Sequence, residues 1–299
     1  MSMKNTSENT SQTALCGDEW LKAEGPVPIR MTNDYLFRAL LQSNNTVLKG
    51  LICSLLHLSD REVVSVDIMN PVELGKPVDA KSFFLDVKVL LNNRAIIHME
   101  MQVSNQHNWP DRSLSYLCRT FDSLKQGDSY MQTKPVVQIG LLDYTLFPKY
   151  PEFYAAYEFR NAKKGYLYSD KLRLCVLNLN RIDLATEEDR HYRIDHWASL
   201  FKSATWEEIK MLAKENDYIK EAASAVYRLS KEEMIRLQCE AREDYYRTQR
   251  DIQYVMEQQN AQLEEKDAKI ESLSAENQNL VAENGRLLAW AVEHGYQSE

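Results

Sequence analysis

Asp86 and Glu100 sit inside the apolar stretch FFLDVKVLLNNRAIIHMEMQV, residues 83–103, with Lys88 and His98 between them and Gln102 just beyond. Carboxylates flanked by Leu, Val and Met are a costly choice in a segment that must bury one side. Brought close together they repel, and a divalent cation between them removes the conflict. Mg²⁺ or Mn²⁺ takes oxygen ligands of this kind, commonly one or two carboxylates plus waters and phosphate oxygens. A lysine or glutamine beside such a pair stabilises developing charge or holds a water, which suits cleavage of a phosphodiester. The competing reading is a solvated hairpin face on which Asp86 pairs with Lys88 or an arginine while Glu100 points to water.

Strand alternation decides whether the two acids meet. Phe83, Leu85, Val87, Val89 and Leu91 form one set on the first strand, and Ile97, Met99, Met101 and Val103 form the apolar set on the second. Both sets must face one core, which fixes the register. A two-residue turn at Asn92-Asn93 pairs Asp86 with Met99 and puts the apolar sets on opposite faces. A three-residue loop of Asn92, Asn93 and Arg94, with one of them left-handed, pairs Leu91 with Ala95, Lys88 with His98, Asp86 with Glu100 and Phe84 with Gln102. The carboxylates are then cross-strand neighbours, their Cβ atoms about 4.5–5.5 Å apart.

The elements around this hairpin follow from periodicity. Apolar residues from Leu36 to Leu56 recur at helical spacing, with Thr32 as N-cap and Ser43-Asn44-Asn45 as an interruption. Residues 61–71 predict a first strand, 112–126 a helix, 135–144 a covered strand and 172–179 a further strand; 186–236 are helical again. The fold class is α/β, a mixed sheet flanked by helices. From Ile252 the chain falls into heptads. With Met256, Leu263, Ile270, Asn277 and Asn284 at a, Ile252, Gln259, Lys266, Leu273, Leu280 and Leu287 fall at d. Asn at two a positions fixes a two-stranded parallel register, so a parallel homodimer is expected; the alternative is a single helix packed back on the domain.

Composition adds bounds. Of 299 residues, 44% are hydrophobic, enough for one sizeable core plus an appendage. The expected organisation is a loose arm over 1–28, a domain over 29–238 and a C-terminal helix and coiled coil over 239–294. There is no long apolar run and the N-terminus is polar, so a soluble cytoplasmic protein is expected. Five scattered cysteines read as reduced core thiols, with neither a disulfide nor a zinc site. The net charge of −8 argues against a chain that coats nucleic acid nonspecifically, although a local basic patch is compatible with it.

The arrangement Leu85-Asp86-Val87 and Glu100-Met101-Gln102, with thirteen residues between Asp86 and Glu100, resembles the PD-(D/E)XK nuclease superfamily, and more closely its recombination-promoting nucleases, described as PD-(D/E)XK family transposases. The likeness extends to TNDYLFR at 32–38, the helix over 112–124, LCVLNL at 174–179 and HWASLFK at 196–202, covering about residues 29–235. It implies a restriction-endonuclease-like core and metal-dependent DNA cleavage linked to recombination or transposition. Asp86 and Glu100 would be ligands of Mg²⁺ or Mn²⁺, with the main-chain carbonyl of Met101 a third. Gln102 stands where the superfamily usually has a catalytic lysine, and Lys88 is the first candidate to replace it, ahead of Lys81 and Arg112. Asp34 corresponds to the acidic residue many members place on the first helix, or is a helix-start carboxylate. His98 is a further accessory candidate on the same face.

The aromatic and basic stretch at residues 150–170 reads as a packed loop and helix, with gripping of a DNA backbone the sharper alternative. His191 and His196, five apart, do not share a helical face and are read as surface or packing residues. The rival function is a non-cleaving member that binds DNA or protein as a regulatory or oligomerisation module; the acidic balance and missing lysine favour it.

Overall fold

The computed structural model describes residues 19–71, 87–122, 124 and 126–295. The first helices are α1 (Asp34–Ser43) and α2 (Asn45–Leu55). They break at the predicted interruption because Asn44 is extended and its side chain accepts the Val47 amide. The cap of α1 is Asn33 rather than Thr32: its Oδ1 accepts from the amides of Tyr35 and Leu36.

The described strands β1 (Val66–Ile68), β2 (Val87–Leu91), β3 (Ala95–Gln102), β4 (Val136–Leu142), β5 (Tyr154–Arg160) and β6 (Leu167–Asn178) form one sheet in the order β1-β2-β3-β4-β6-β5. β3, β4 and β6 run parallel, and the remaining pairs are antiparallel. Leu91 pairs with Ala95 and Lys88 with His98, so the hairpin has the three-residue loop that the alternation demands. Both Asn92 and Asn93 are left-handed, at φ 50° and 55°, one residue more than expected; asparagine tolerates this region best among residues with a Cβ. Asn92 Oδ1 also accepts from the amides of Val64 and Ser65, and its Nδ2 donates to the Glu62 carbonyl, which ties the turn to the chain entering β1.

One face of the sheet carries Ile97, Met99, Met101, Ile139, Leu141, Cys175 and Leu177 into the main core. Opposite them lie α1, α2, α5 (Ile194–Lys202), α6 (Trp206–Ala213) and α7 (Asp217–Lys231); the short α4 (Glu187–His191) precedes them. The other face is covered by α3 (Trp109–Phe121), whose Leu117 packs with Ile96 and Val136 and whose Trp109 packs with Leu142 and Val176. The hairpin is therefore not half-buried. On β3 the row opposite the core, Ile96, His98, Glu100 and Gln102, is only 2–6% exposed, so the solvated-face reading fails for Glu100.

Three further expectations are corrected. The stretch at 150–170 is strand, turn and strand: β5 and the first half of β6, which begins at Leu167 instead of Leu172. Tyr and Phe suit a pleated surface. The turn closes where Asn161 Oδ1 accepts the Lys163 and Lys164 amides and Gly165 takes φ 74°. The N-terminal arm ends early, since Glu19–Lys22 forms a 3₁₀ turn with Trp20 buried in the core and Pro26 bridging Thr205. At the other end, the helix α8 (Glu233–Glu293) begins inside the compact unit, which reaches Asp244. Arg242 forms a buried two-point pair with Asp34, its Nε 3.0 Å from Oδ1 and its Nη2 on Oδ2, while Asn33 Nδ2 donates to the Cys239 carbonyl at 3.0 Å.

From Tyr245 the chain forms a second unit, a continuation of α8. Cys53, Cys175 and Cys239 are buried free thiols and Cys118 is exposed; Cys16 lies outside the described residues. No described helix is long and apolar enough to cross a membrane.

The seat of α3 depends on Gly140 of β4. A Cβ there would lie 2.1 Å from Cζ2 of Trp109. Gly140→Ala is expected to lower stability by about 1–3 kcal/mol through overpacking, read as an earlier midpoint in urea; an unchanged midpoint would show that α3 shifts freely.

Candidate active site

Strand alternation puts His98, Glu100 and Gln102 on the α3 side of β3, and each has a named partner there. Glu100 Oε1 lies 2.6 Å from Nη2 of Arg112, with the two side chains 8% and 18% exposed. Arg112 is in the first turns of α3, so the helix that covers the strand also brings the counter-charge. A charge-assisted hydrogen bond this short and sheltered is stronger than a surface ion pair, and deleting the arginine would leave a buried carboxylate without its cation. The Arg112 guanidinium also lies 5.4 Å from the Tyr116 ring centre one turn further along α3.

His98 Nδ1 lies 2.6 Å from Gln138 Oε1 on β4, and its ring meets Tyr116 edge-on at 5.4 Å. Gln102 Oε1 accepts the Tyr144 hydroxyl at 2.6 Å. Burial, and secondarily the Glu100 charge, push the Tyr144 phenol above its ordinary value, so it stays a donor. That bond fixes the carbonyl end of the Gln102 amide as acceptor and leaves its NH₂ as a donor. The Gln102 carbonyl accepts the Asp143 amide at 2.9 Å. Asp143 in turn pairs at 2.6 Å with Lys202, which also donates to Asn180 Oδ1 at 3.0 Å. Asn178 Nδ2 donates to Thr145 Oγ1 at 3.2 Å. Glu100, Gln102 and these groups gather toward the carboxyl ends of the parallel strands β3, β4 and β6, where open α/β sheets place their ligands.

Of the residues singled out in the sequence, the fold brings Glu100, Gln102, His98 and Arg112 together on one sheet face. Lys88 joins them as the cross-strand partner of His98, its amide held 2.9 Å from Asn70 Oδ1. Met101 turns its side chain into the main core at 3% exposure, leaving its main-chain carbonyl as its only oxygen donor. Asp34 is committed to Arg242. Asp86 and Lys81 lie outside the described residues.

Sequence reasoning missed Tyr144, Gln138, Asp143 and Lys202. Tyr144, Asp143 and Lys202 stand at or beside the ends of apolar runs, and Gln138 is a polar residue inside one. Among the described residues no group of three His, Cys, Asp or Glu side chains is placed to hold a metal.

A family model described as PD-(D/E)XK nuclease family transposase matches residues 31–259, which contain the sheet, α3 and the whole Glu100 cluster. No curated protein and no solved structure matches the chain. The motif on the hairpin, the mixed sheet that buries it and a match over most of the sequence agree: the chain belongs to the PD-(D/E)XK nuclease family transposases.

Proposed function

We propose that this protein is a divalent-metal-dependent DNA endonuclease, with Asp86 and Glu100 as the metal-holding carboxylates and the main-chain carbonyl of Met101 as a third donor. The observation that carries the reading is Glu100 itself, a carboxylate buried in the middle of a sheet beside Arg112 and Gln102 in a chain of a nuclease family. The described ladder runs from Leu91–Ala95 to Val87–Met99, and the alternation read from the sequence would set Asp86 against Glu100 one pair further on. Donors that are all oxygen suit Mg²⁺ or Mn²⁺. When bound, the ion supplies positive charge that lowers the pKa of a coordinated water and neutralises phosphate oxygens.

The chain's own residues have separable tasks. Arg112 aims Glu100 through their 2.6 Å ion pair. Gln102, oriented by Tyr144, offers its NH₂ to a phosphate oxygen or to the attacking water. It brings no charge to the place of the superfamily lysine, and Lys88 on the same face is proposed to supply the cation. His98, fixed by Gln138, borders the same surface. The second reading, a non-cleaving binding module, draws support from the same pair: in the present arrangement Arg112 already meets the charge of Glu100.

Nicking of supercoiled plasmid in Mg²⁺ or Mn²⁺ separates the two. Wild type is expected to cut; Asp86→Ala and Glu100→Ala are expected to abolish cutting with the circular dichroism unchanged. Arg112→Ala should lower kcat by roughly 10²–10³, the cost typical of removing one oriented charged donor, with Arg112→Lys recovering part of it. Full activity in either carboxylate variant would overturn the assignment, and absence of cutting by wild type with any divalent metal would favour the binding module.

We further propose that α8 makes a parallel homodimer. Met256, Leu263, Ile270, Leu273, Leu280 and Leu287, the expected seam, are each 51–62% exposed on α8, and Asn277 and Asn284 at a fit a two-stranded register. Two protomers would place two single-strand cutters on one duplex. Sedimentation equilibrium is expected to give a dimer for wild type and a monomer for Leu273→Asp combined with Leu280→Asp. A monomeric wild type would sink the proposal.

A further inference from the structure

α3 does not cover the whole of its sheet face. It packs mainly over β4 and β6, and between it and the outer part of the β5–β6 hairpin runs an open apolar groove of about 330 Å³, lined by Ser113, Leu114 and Leu117 of α3 and Tyr157, Phe159 and Leu174 of the hairpin. The aromatic side chains here are exposed to an unusual degree: Tyr157 is 42%, Phe159 62% and Tyr168 75% exposed, and Phe159 meets Tyr168 edge-on at 5.5 Å. Burying rings of this size is what folding ordinarily favours.

The hairpin also differs in charge from the rest of the chain. Between Lys149 and Arg173 it holds six cations against three anions, in a protein of net charge −8. Glu158 answers Arg160 at 2.5 Å and Arg173 at 3.9 Å. Lys163 and Lys164 are left at the exposed tip, on a turn whose backbone Asn161 holds rigid. The register relates this surface to the candidate site. Tyr157 pairs with Leu174, Leu174 with Gln138 and Gln138 with His98, so Tyr157 and His98 lie in one row on one face. Three strand spacings separate β3 from β5, about 14 Å, the reach of two or three nucleotides.

We infer that the β5–β6 hairpin is a single-strand platform: it stacks unpaired bases of the nucleic-acid strand on Tyr157, Phe159 and Tyr168, while Lys163 and Lys164 track the backbone. The inference rests on the nuclease reading for its biological meaning, but the binding it describes does not require cleavage. Paired bases hide their faces in the duplex, so exposed rings beside lysines favour unpaired DNA over duplex, by stacking plus phosphate attraction. A substrate with a frayed, flapped or looped strand next to the scissile bond would fit both surfaces at once.

The test uses full-length protein in EDTA, so that nothing is cut, and fluorescence anisotropy of a labelled mixed-sequence oligonucleotide, single-stranded or annealed. Wild type is expected to bind the single strand more tightly than the duplex. Phe159→Ala with Tyr168→Ala should weaken single-strand binding by roughly 10–100-fold and change duplex binding little, with Phe159→Tyr and Tyr168→Trp retaining affinity. Lys163→Ala with Lys164→Ala should weaken both and flatten the salt dependence by about one to two phosphate contacts. All these side chains are exposed, so the variants should fold, as circular dichroism will verify. Single-strand affinity unchanged in the double aromatic variant would overturn the inference. So would a loss of self-association in that variant with oligonucleotide binding intact, which would make the groove an interface between copies. Should plasmid cleavage fail while this binding persists, the nuclease reading falls and the platform stands.

Discussion

A carboxylate inside a sheet that is covered on both faces must be met by a positive charge, and the architecture around Glu100 follows from that requirement. β3 runs between the main core and α3, so its polar row has no water to fall back on. Arg112 supplies the charge from α3. Trp109, one turn earlier, locks that helix onto Gly140 of the next strand. Tyr144 and Gln138, from β4 or the turn just after it, hold Gln102 and His98 in place. The packing of α3 and the electrostatics of the polar row are thus one arrangement, and a change in the helix seat would move the guanidinium as well.

How much of this was legible in the sequence depends on the range over which each signal acts. The hairpin register was readable because period-two alternation on both strands admits only one loop length, and the loop observed has that length. Glu100 and Gln102 were readable as misfits in an apolar run. The partners were not. Arg112 looked like one helix cation among several, and nothing local links Asp34 to Arg242, 208 residues away. β5 escaped because an exposed edge strand with Tyr, Glu, Phe and Arg on its surface lacks clean alternation. Trp20 escaped because a polar stretch around one aromatic residue reads as a loose arm.

The two faces of the sheet divide the work. The face toward α1, α2 and α5–α7 is a conventional core whose loss would cost the fold. The α3 face holds the charged and amide groups at one side of the helix and exposed rings at the other, and it spends apolar cover where a strand of nucleic acid is proposed to lie. An acidic chain binds nucleic acid only through such local surfaces, which reconciles a net charge of −8 with a nuclease family. The separate unit from Tyr245, with its apolar heptad positions exposed, gives the proposed dimer a place to form.

The central claim is that the hairpin holds a divalent cation through Asp86 and Glu100. Thermal unfolding with increasing Mg²⁺ or Mn²⁺, in the absence of nucleic acid, tests it most directly, because a ligand that binds only the folded state raises the midpoint with its concentration. The account predicts a saturable rise at millimolar metal for wild type that disappears in Asp86→Asn and in Glu100→Gln. A midpoint that ignores metal in wild type, or one that rises equally in both variants, would contradict it.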